Sequence, residues 1–280
     1  MLLHDLRQRL KSSFLYDAYW SLRDPEIIRE RDRELNSYRK ILRNLPTGAL
    51  VFDVGANHGY KVDMFLRLGA SVVAIDPDPC NQKILAARFH KYRLRRQPVS
   101  IVDAAVSDTT ATAEMWIDMP GSAKNTLSSK WVSTLRNDDT RFGETLNFSQ
   151  RLSVRTATLA DLTTTFGAPF FVKIDVEGHE PAVIAGITEP VPVLSFEVNL
   201  PEFRAEGRHC LELLSQLDKR AEFNYCTRLA SGCALTEWIP YVQMDKLLAS
   251  LSDPSVEIFC RSPDASVSRK PTYEKSLREL

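Results

Sequence analysis

The chain has 280 residues, a length that fits one large domain or two small ones at about 150 residues per domain. Its hydrophobic fraction of 44% and charged fraction of 26% are ordinary for a globular protein. The 36 basic residues balance 36 acidic ones, so the chain lacks the overall field that draws proteins onto nucleic acid or anionic lipid. We therefore expect neither nucleic acid nor a membrane as a partner, and a small substrate.

The cysteines and the apolar runs bear on the compartment. The 5 cysteines are scattered without a C-x-x-C pair, as is typical of thiols in a reducing compartment. Charged residues interrupt the N-terminus from His4–Asp5 onward, which argues against a secretory signal. No apolar run reaches the roughly 18 residues of a membrane span. The sequence predicts a cytoplasmic protein.

Residues 1–46 have the pattern of helices, with apolar residues at three- and four-residue steps. Asp24-Pro25-Glu26 has the pattern of a helix start, with Asp as the N-cap and Pro in the first turn. The segment carries no visible catalytic chemistry. We expect a helical extension that packs on the domain, caps a site, or joins two copies in a homo-oligomer.

Residues 47–262 alternate short apolar runs with helix-length segments. This alternation predicts an α/β fold, with a mostly parallel sheet covered by helices on both faces. The predicted strands and helices, in chain order, are 49–54, 61–68, 71–75, 80–92, 99–104, 114–117, 159–166, 169–175, 181–186, 192–198, 210–217, 223–227 and 256–260. The last two strands are interpreted as an antiparallel pair at the sheet edge.

Two polar segments have no clear periodicity. Residues 119–150 are rich in Gly, Ser, Thr and Asn, which is typical of a lid or substrate loop and equally of a mobile surface insertion. Residues 263–280 are polar with two prolines, and we expect a flexible tail.

The first motif with chemical meaning lies where the first predicted strand ends in a turn. Asp53 is followed by Gly55 and Gly59, and a helix begins just after. Glycines at such a turn let a ligand or a helix approach the backbone closely. A carboxylate at the turn would repel a pyrophosphate and attract a cationic ligand, which favours S-adenosylmethionine over a dinucleotide. A helix-capping role for Asp53 remains the alternative.

Two further strand ends carry acids. Asp76 ends the second strand at the spacing at which an acid typically binds the ribose hydroxyls of an adenine nucleoside. Asp78 follows as the predicted N-cap of the next helix. Asp103 ends the third strand, where it could accept a hydrogen bond from the adenine amine or simply be solvated.

The segment 171–180 concentrates ionisable groups at the end of an apolar strand. Lys173 is costly to bury without a partner, and Asp175 or Glu197 could supply one. Asp175, Glu177 and His179 could provide a general base or ligands for a divalent ion. We expect no metal, because the chain has no multi-carboxylate loop or H-x-x-x-H pair. Glu197 could be functional or a structural partner of Lys173.

These motifs, in this order and spacing, resemble those of the FkbM-type family of S-adenosylmethionine-dependent methyltransferases. The resemblance covers about residues 50–200, through the stretches VFDVGANHG, VVAIDPDP, DAAVSD, TLADL and FVKIDVEGHEPAVIAG. The stretch TLADL has Ala160 where the family commonly has Asp. The resemblance implies a seven-stranded class I methyltransferase fold with an antiparallel last strand, and methyl transfer to a hydroxyl of a sugar, polyketide, glycoconjugate or other small metabolite.

The resemblance also implies roles for single residues. The methionine part of the donor would be held by Asp53, Gly55, Asn57 and Gly59. Asp76 would bind the ribose, and Asp103 and Ala104 would flank the adenine. Asp175, Glu177 and His179 would line the acceptor side. The alternatives are a nicotinamide-dependent oxidoreductase and a non-catalytic module that binds the nucleoside.

Overall fold

A computed structural model describes residues 25–94, 99–136, 146–263 and 265. The first part of the predicted helical extension, up to and including the predicted N-cap Asp24, lies outside the described residues. So does the predicted tail, apart from residues 263 and 265. None of the described helices is long and apolar enough to cross a membrane. The five cysteines are all free thiols, and Cys210, Cys226 and Cys260 are buried.

Eleven strands are present among the described residues. They are β1 Leu50–Val54, β2 Ser71–Ile75, β3 Val99–Val102, β4 Ala105–Val106, β5 Thr112–Ile117, β6 Gln150–Ala157, β7 Phe171–Ile174, β8 Val193–Asn199, β9 Glu222–Cys226, β10 Ile239–Pro240 and β11 Ser255–Arg261.

The described helices begin with α1, which follows the predicted helix start at Pro25. The α-helices are α1 Pro25–Ile41, α2 Tyr60–Arg67, α3 Pro79–Arg88, α4 His90–Leu94, α5 Ser129–Arg136, α6 Leu159–Phe166, α7 Glu180–Ala185, α8 Arg204–Leu217 and α9 Tyr241–Ser250. A short 3-10 helix covers Leu229–Ser231.

The main sheet has eight strands in the order β10-β9-β11-β8-β7-β1-β2-β3. Five neighbouring strands of this sheet are parallel, namely β8, β7, β1, β2 and β3. Strand β11 pairs antiparallel with both β8 and β9. The mostly parallel α/β sheet with an antiparallel last strand is therefore confirmed. The expected number of seven strands is wrong by one, because the two-residue β10 adds an edge beside β9.

The position of the last strand differs from the sequence prediction in one respect. Strands β9 and β11 do pair antiparallel, but β11 lies inside the sheet between β8 and β9. Its burial explains why: Val256, Ile258 and Phe259 are each at most 1% exposed. A strand with a buried apolar centre is stable in the sheet interior, and the polar Ser255, Glu257 and Arg261 of β11 stay partly exposed.

A second sheet of three strands, in the order β4-β6-β5, stands beside the main one. Of these three strands, the sequence predicted only part of β5, at residues 114–117, and neither β4 nor β6. Helix α5 lies within the segment 119–150, and its Trp131, Val132 and Leu135 are buried in the main core. Part of that segment is thus packed helix.

Helices cover both faces of the main sheet. One face packs against α5 to α9, and the other against α1 to α3. Helix α1 contributes Leu35 and Tyr38 to the second core, where the Tyr38 ring contacts Phe65 and Phe171 with centroids 5.0 and 6.0 Å apart. Of the roles expected for the N-terminal helices, packing on the domain is the one the structure describes for α1.

Candidate functional site

An open cleft of about 830 Å³ lies at the carboxyl ends of the parallel strands. This is the edge at which open parallel sheets bind their ligands. Its walls come from the ends of β1, β2, β7 and β8, from the start of the second sheet, and from the loop 122–127. The lining residues are Val54, Gly55, Asn57, Ile75, Asp76, Pro77, Asp78, Asn81, Ala104, Ala105, Val106, Met115, Ser122, Ala123, Asn125, Thr126, Leu127, Asp175, Val176, Glu177, His179 and Glu197.

The turn after β1 is shaped by close backbone contact. Gly55 has φ +82°, and a Cβ there would lie 1.9 Å from the Asp175 carbonyl oxygen. Asn57 is also left-handed, with φ 47°, and its side chain accepts a hydrogen bond from the His58 amide at 2.8 Å. Gly59 serves packing instead, because a Cβ there would lie 2.5 Å from the Phe89 ring.

The Asp76 carboxylate organises the neighbouring wall. It accepts from the backbone amides of Asn57 at 2.8 Å and Asp78 at 2.9 Å, and the Asn81 amide donates to both of its oxygens at 3.2 Å. Burial raises the pKa of Asp76 to about 6 in spite of these donors. The Asn81 Oδ1 is buried without a hydrogen-bond partner in the described chain. An unsatisfied buried acceptor in a cleft marks a place for a donor from a ligand.

Asp78 joins this wall to the loop that follows β5. Its carboxylate caps α3 by accepting from the Cys80 amide at 2.7 Å, which confirms the predicted N-cap. It also accepts from the Gly121 amide at 2.7 Å and the Asn125 side chain at 2.8 Å. The loop 122–127 is therefore tied to the wall that carries Asp76.

Lys173 lies at the centre of a row of polar groups on one face of the sheet. It is paired in register with Asp53 on β1 and with Ser195 on β8, so the three side chains share a face. Its ammonium is 2.7 Å from Asp175, which is the partner that burial demands. Asp175, Glu257 and Asp53 outweigh the effect of burial and raise the pKa of Lys173. The ammonium in turn contributes to holding the Asp175 pKa below its usual value.

The acids around Asp175 have pKa values that are raised rather than lowered. Burial raises the pKa of Glu197 to about 8, with the Asp175 charge adding to the effect. Glu197 hydrogen-bonds to Asp175, as a protonated acid beside an ionised one would. Burial and the same charge raise the pKa of Glu177 well above its usual range. The cluster therefore holds protons at neutral pH that a cationic ligand would displace.

The turn after β7 presents Glu177 and His179. Glu177 has φ 55°, a conformation that is costly for a residue other than glycine. The Glu180 carboxylate holds this turn by accepting from the Val176 and Gly178 amides, each at 3.2 Å. His179 Nε2 lies 3.0 Å from the Ser107 hydroxyl, and burial lowers the His179 pKa, so the ring is neutral at neutral pH.

The structure brings most of the predicted site residues together. Seven of them line the cleft, and they are Gly55, Asn57, Asp76, Ala104, Asp175, Glu177 and His179. Asp53 is buried in the polar row beneath it, where burial raises its pKa to about 6. Asp103 is exposed and does not line the cleft.

Asn81 was not predicted as part of the site, and the loop 122–127 was covered only by the prediction of a lid or substrate loop, or equally a surface insertion, for residues 119–150. Asn81 sits in the first turn of α3, where a polar residue is usually solvated. Its spacing of five residues from Asp76, just after the predicted cap, was the available signal. The loop offered no periodicity, and its place depends on Asp78.

The charge of the lining discriminates between ligands. Of the described residues that line the cleft, five are acids (Asp76, Asp78, Asp175, Glu177 and Glu197) and none is Lys or Arg. Even with Glu177 and Glu197 protonated at neutral pH, a lining that has acids and neither Lys nor Arg repels a pyrophosphate and attracts a cation. Within the described ranges, no group of three or more His, Cys, Asp or Glu side chains is arranged to hold a metal ion.

Comparisons with known proteins place these features in a family. The model of the methyltransferase FkbM domain matches residues 53–225, a range that contains every predicted site residue. No curated protein matches this chain. The solved precorrin-6y C5,15-methyltransferase of Geobacter metallireducens is 11% identical with a TM-score of 0.42, and the match covers 83% of this chain and 86% of that one.

Two other solved structures are similar at the same level. A TehB-like SAM-dependent methyltransferase of Corynebacterium glutamicum is 10% identical with a TM-score of 0.41, covering 89% of this chain and 100% of that one. The plantazolicin methyltransferase in complex with a substrate analogue and SAH is 9% identical with a TM-score of 0.38, covering 92% of this chain and 95% of that one.

Proposed function

The chain belongs to the FkbM family of S-adenosylmethionine-dependent methyltransferases, and from this premise we propose that it methylates a hydroxyl oxygen. The acceptor class we propose is a small metabolite, a sugar, or a hydroxyl of a polyketide or glycoconjugate. The observation that carries the proposal is the acid-lined cleft at the strand ends, because the donor carries an ammonium and a sulfonium against one carboxylate and no phosphate. The hydroxyl acceptor is supported by Asp175 and His179 in the same lining, an ionised carboxylate and a neutral imidazole that can receive a hydroxyl proton.

The residues present fit the donor. The unsatisfied Oδ1 of Asn81 can accept from a ribose hydroxyl beside Asp76, which keeps the ribose role that the motif implies. The Gly55 turn leaves its backbone open to the methionine part, and Ala104 lies where the adenine would be flanked. Asp53 would act on the methionine part through its charge from beneath the cleft, and Asp103 would act on the adenine from its exposed position next to Ala104. Gly59 would hold α2 in place through its packing.

Bound S-adenosylmethionine would supply a methyl group on a positively charged sulfur. The acceptor oxygen attacks the methyl carbon, the carbon–sulfur bond breaks with its electron pair going to sulfur, and the hydroxyl proton passes to a side chain. We propose Asp175, Glu177 and His179 as the catalytic set that receives this proton and orients the hydroxyl. The ionised Asp175 and the neutral His179 can accept it directly, while Glu177 must first lose its own proton.

The remaining assignments complete the proposal. Residues 47–262 form the catalytic domain, with 1–46 as a helical extension and 263–280 as a tail. The protein acts in the cytoplasm, and neither nucleic acid nor a membrane is a partner. A homo-oligomer would form through the N-terminal helices. No metal takes part in the transfer.

Calorimetry with SAH and with NADH separates this proposal from the nicotinamide alternative. We expect SAH to bind and NADH not to bind. The substitution Asp76→Asn should weaken SAH binding about 10- to 100-fold, the value of hydrogen bonds to a charged group. Asp63→Asn, an acid on α2 that does not line the cleft, is the matched control. Tight NADH binding with no SAH binding would refute the proposal.

Turnover over a panel of hydroxyl compounds, followed as SAH release, separates the enzyme from a binding module. Products analysed by mass spectrometry and NMR should carry the new methyl group on oxygen. Asp175→Asn, Glu177→Gln and His179→Ala should each lower turnover while SAH binding persists. Full turnover in all three variants would mean that the proton acceptor lies elsewhere, and a methyl group on nitrogen or carbon would contradict the reaction type.

A further inference from the structure

A second cleft of about 1180 Å³ shares two lining residues with the first one. Asp175 and Glu197 line both clefts. The other walls of the second cleft come from α1, from the start of α2, from the strand β11 and from the 3-10 segment after β9. Its lining residues are Glu30, Glu34, Lys61, Lys173, Ile174, Asp175, Glu197, Cys226, Thr227, Arg228, Leu229, Ala230, Ser255 and Glu257.

The lining of the second cleft is polar. Of the fourteen described residues that line it, ten carry a charged group or a hydroxyl, and none of the fourteen is aromatic. Sites for aromatic or aliphatic compounds are lined mainly by apolar and aromatic side chains. Side chains of this kind suit a compound that offers many hydroxyl groups, because carboxylates accept from hydroxyls and ammonium groups donate to them.

The balance of charge narrows the compound further. Among the residues of this lining that the structure describes, there are five carboxyl groups against three cations, and two of the cations already pair with acids of the same cleft. Lys61 is 2.6 Å from Glu34, and Lys173 is 2.7 Å from Asp175. A phosphorylated or carboxylated acceptor would meet more acids than free cations there. The cleft therefore favours an uncharged polyhydroxyl compound.

We propose that the second cleft binds the acceptor, an uncharged sugar-like polyol, and that Asp175 at the shared wall takes the proton of the reacting hydroxyl. This inference rests on the proposed function and narrows its catalytic set. A methyl group can pass between substrates in separate clefts only if their reacting atoms approach each other, and we place that approach at Asp175 and Glu197, the two residues common to both linings.

The transfer balances at this junction. An oxygen of the polyol forms a bond to the methyl carbon of the donor, the bond from that carbon to sulfur breaks, and its electron pair stays on sulfur. The hydroxyl proton becomes strongly acidic as the new bond forms, so the Asp175 carboxylate can accept it even with the ammonium of Lys173 beside it. Glu197, hydrogen-bonded to Asp175, keeps the carboxylate oriented.

Filling the second cleft without touching the first provides the test. Thr227 is an exposed lining residue, and Ser231, four positions further on, is exposed and does not line the cleft. The variants Thr227→Trp and Ser231→Trp therefore form a matched pair. Arg228→Trp, at a second exposed lining position, serves if Thr227→Trp does not fold, as judged by circular dichroism.

The probes are methyl α-glucopyranoside, methyl α-mannopyranoside and methyl α-rhamnopyranoside, observed by saturation-transfer NMR with SAH present. We expect at least one glycoside to bind the wild type with a Kd of about 1–10 mM or tighter. Thr227→Trp should weaken that binding at least about tenfold, a change of about 1.4 kcal/mol. Ser231→Trp should leave it within about twofold, and all variants should bind SAH as the wild type does.

Each other result overturns a distinct statement. Glycoside binding that persists in Thr227→Trp or Arg228→Trp would place the acceptor outside the second cleft. Wild type that binds SAH and none of the glycosides would refute the polyol class. A loss of SAH affinity in Thr227→Trp alone would assign the second cleft to the donor. Failure of the wild type to bind SAH would refute the proposed function itself, whatever the glycosides do.

Discussion

Replacing Lys173 by methionine removes an ammonium group from among three acids and keeps most of the side chain's length. Lys173 is 5% exposed, and its Nζ lies 2.7 Å from an oxygen of Asp175. Asp53 and Glu257 also act on it through their charges. Because the acids stay behind, the substitution leaves carboxylates near the sheet interior without their counter-charge.

The size of the effect follows from the geometry. At 2.7 Å and an effective dielectric constant of about 20, the attraction between the two charges is about 6 kcal/mol. The variant also loses the cost of burying the ammonium, so the net loss is smaller, and breaking a buried pair typically costs about 3–5 kcal/mol. Asp175 has a side chain 36% exposed, so water screens it and we expect about 3 kcal/mol.

Urea unfolding at two pH values measures this loss. Lys130→Met is the matched control, since its ammonium is 2.6 Å from Glu206 but its side chain is 44% exposed, and it should lose about 1 kcal/mol or less. The loss in Lys173→Met should shrink from pH 7.5 to pH 5.5. Without the ammonium the folded-state pKa values of Asp175 and Asp53 rise, so protonation on folding recovers up to about 1.4 kcal/mol per pH unit for each group.

The reasoning fails under either of two results. A loss for Lys173→Met no larger than that for Lys130→Met would show that the pair is not the buried interaction described above. An equal loss at pH 7.5 and pH 5.5 would show that the acids around position 173 do not take up protons when the ammonium is gone. Equal slopes of free energy against urea in all variants are the control for a common unfolding reaction.

Three further predictions concern the backbone, the core and the acids. Gly55→Ala should abolish SAH binding, because the added Cβ would collide with the Asp175 carbonyl. Gly48→Ala is the control, since Gly48 has a similar φ of +78° and its added Cβ would have no described atom within 4 Å apart from its chain neighbours; it should cost about 1 kcal/mol of unfolding free energy and bind SAH normally. Equal SAH binding by the two variants in calorimetry would contradict the close contact at Gly55. Trp131→Ala should lower the free energy of unfolding in urea by about 3–5 kcal/mol. A loss below about 1 kcal/mol would contradict the packing of α5 and favour a mobile lid or surface insertion at this position. Since Glu180 and Glu197 have folded pKa values of about 7 and about 8, the wild type should gain stability as pH falls from about 8 toward 4.5, and a gain with rising pH would refute the shifts.

The sequence carried the parts of the fold that depend on local pattern. Strands such as β1 and β2 are continuous apolar runs because both faces of a parallel sheet are buried, and their ends could be located from composition alone. Strand β6 was not predicted because only Leu152 and Val154 among its alternating residues are large and apolar, whereas the buried Thr156 is polar and the rest of the segment is polar as well. Helix α5 is short, and its buried face is recognisable only against the core that it joins.

The candidate site was predictable to the same extent. Acids at strand ends follow from the motifs, and so did a buried partner for Lys173. The role of Asn81 depends on a side-chain contact with Asp76 across the turn that starts α3, and the place of the loop 122–127 depends on a contact between Asn125 and Asp78, 47 residues away in the sequence. The spacing of two residues in the sequence predicts a contact between them only where a regular helix or strand fixes their separation. The exposed position of Asp103 likewise depends on how β3 ends beside β4.

The meeting of the two clefts at Asp175 has a cause in the backbone. Lys173 points to the face of the sheet that α1 and α2 cover, and the carboxylate of Asp175, the first residue after β7, lies 2.7 Å from its ammonium. Directly after, the left-handed Glu177, held by Glu180, turns the chain so that Val176 and Glu177 face the first cleft. The same short stretch therefore has an ionised acid anchored to a buried cation on one side and a protonated acid on the other. A chain of zero net charge can in this way place its acids where a cationic donor and a hydroxyl acceptor would meet.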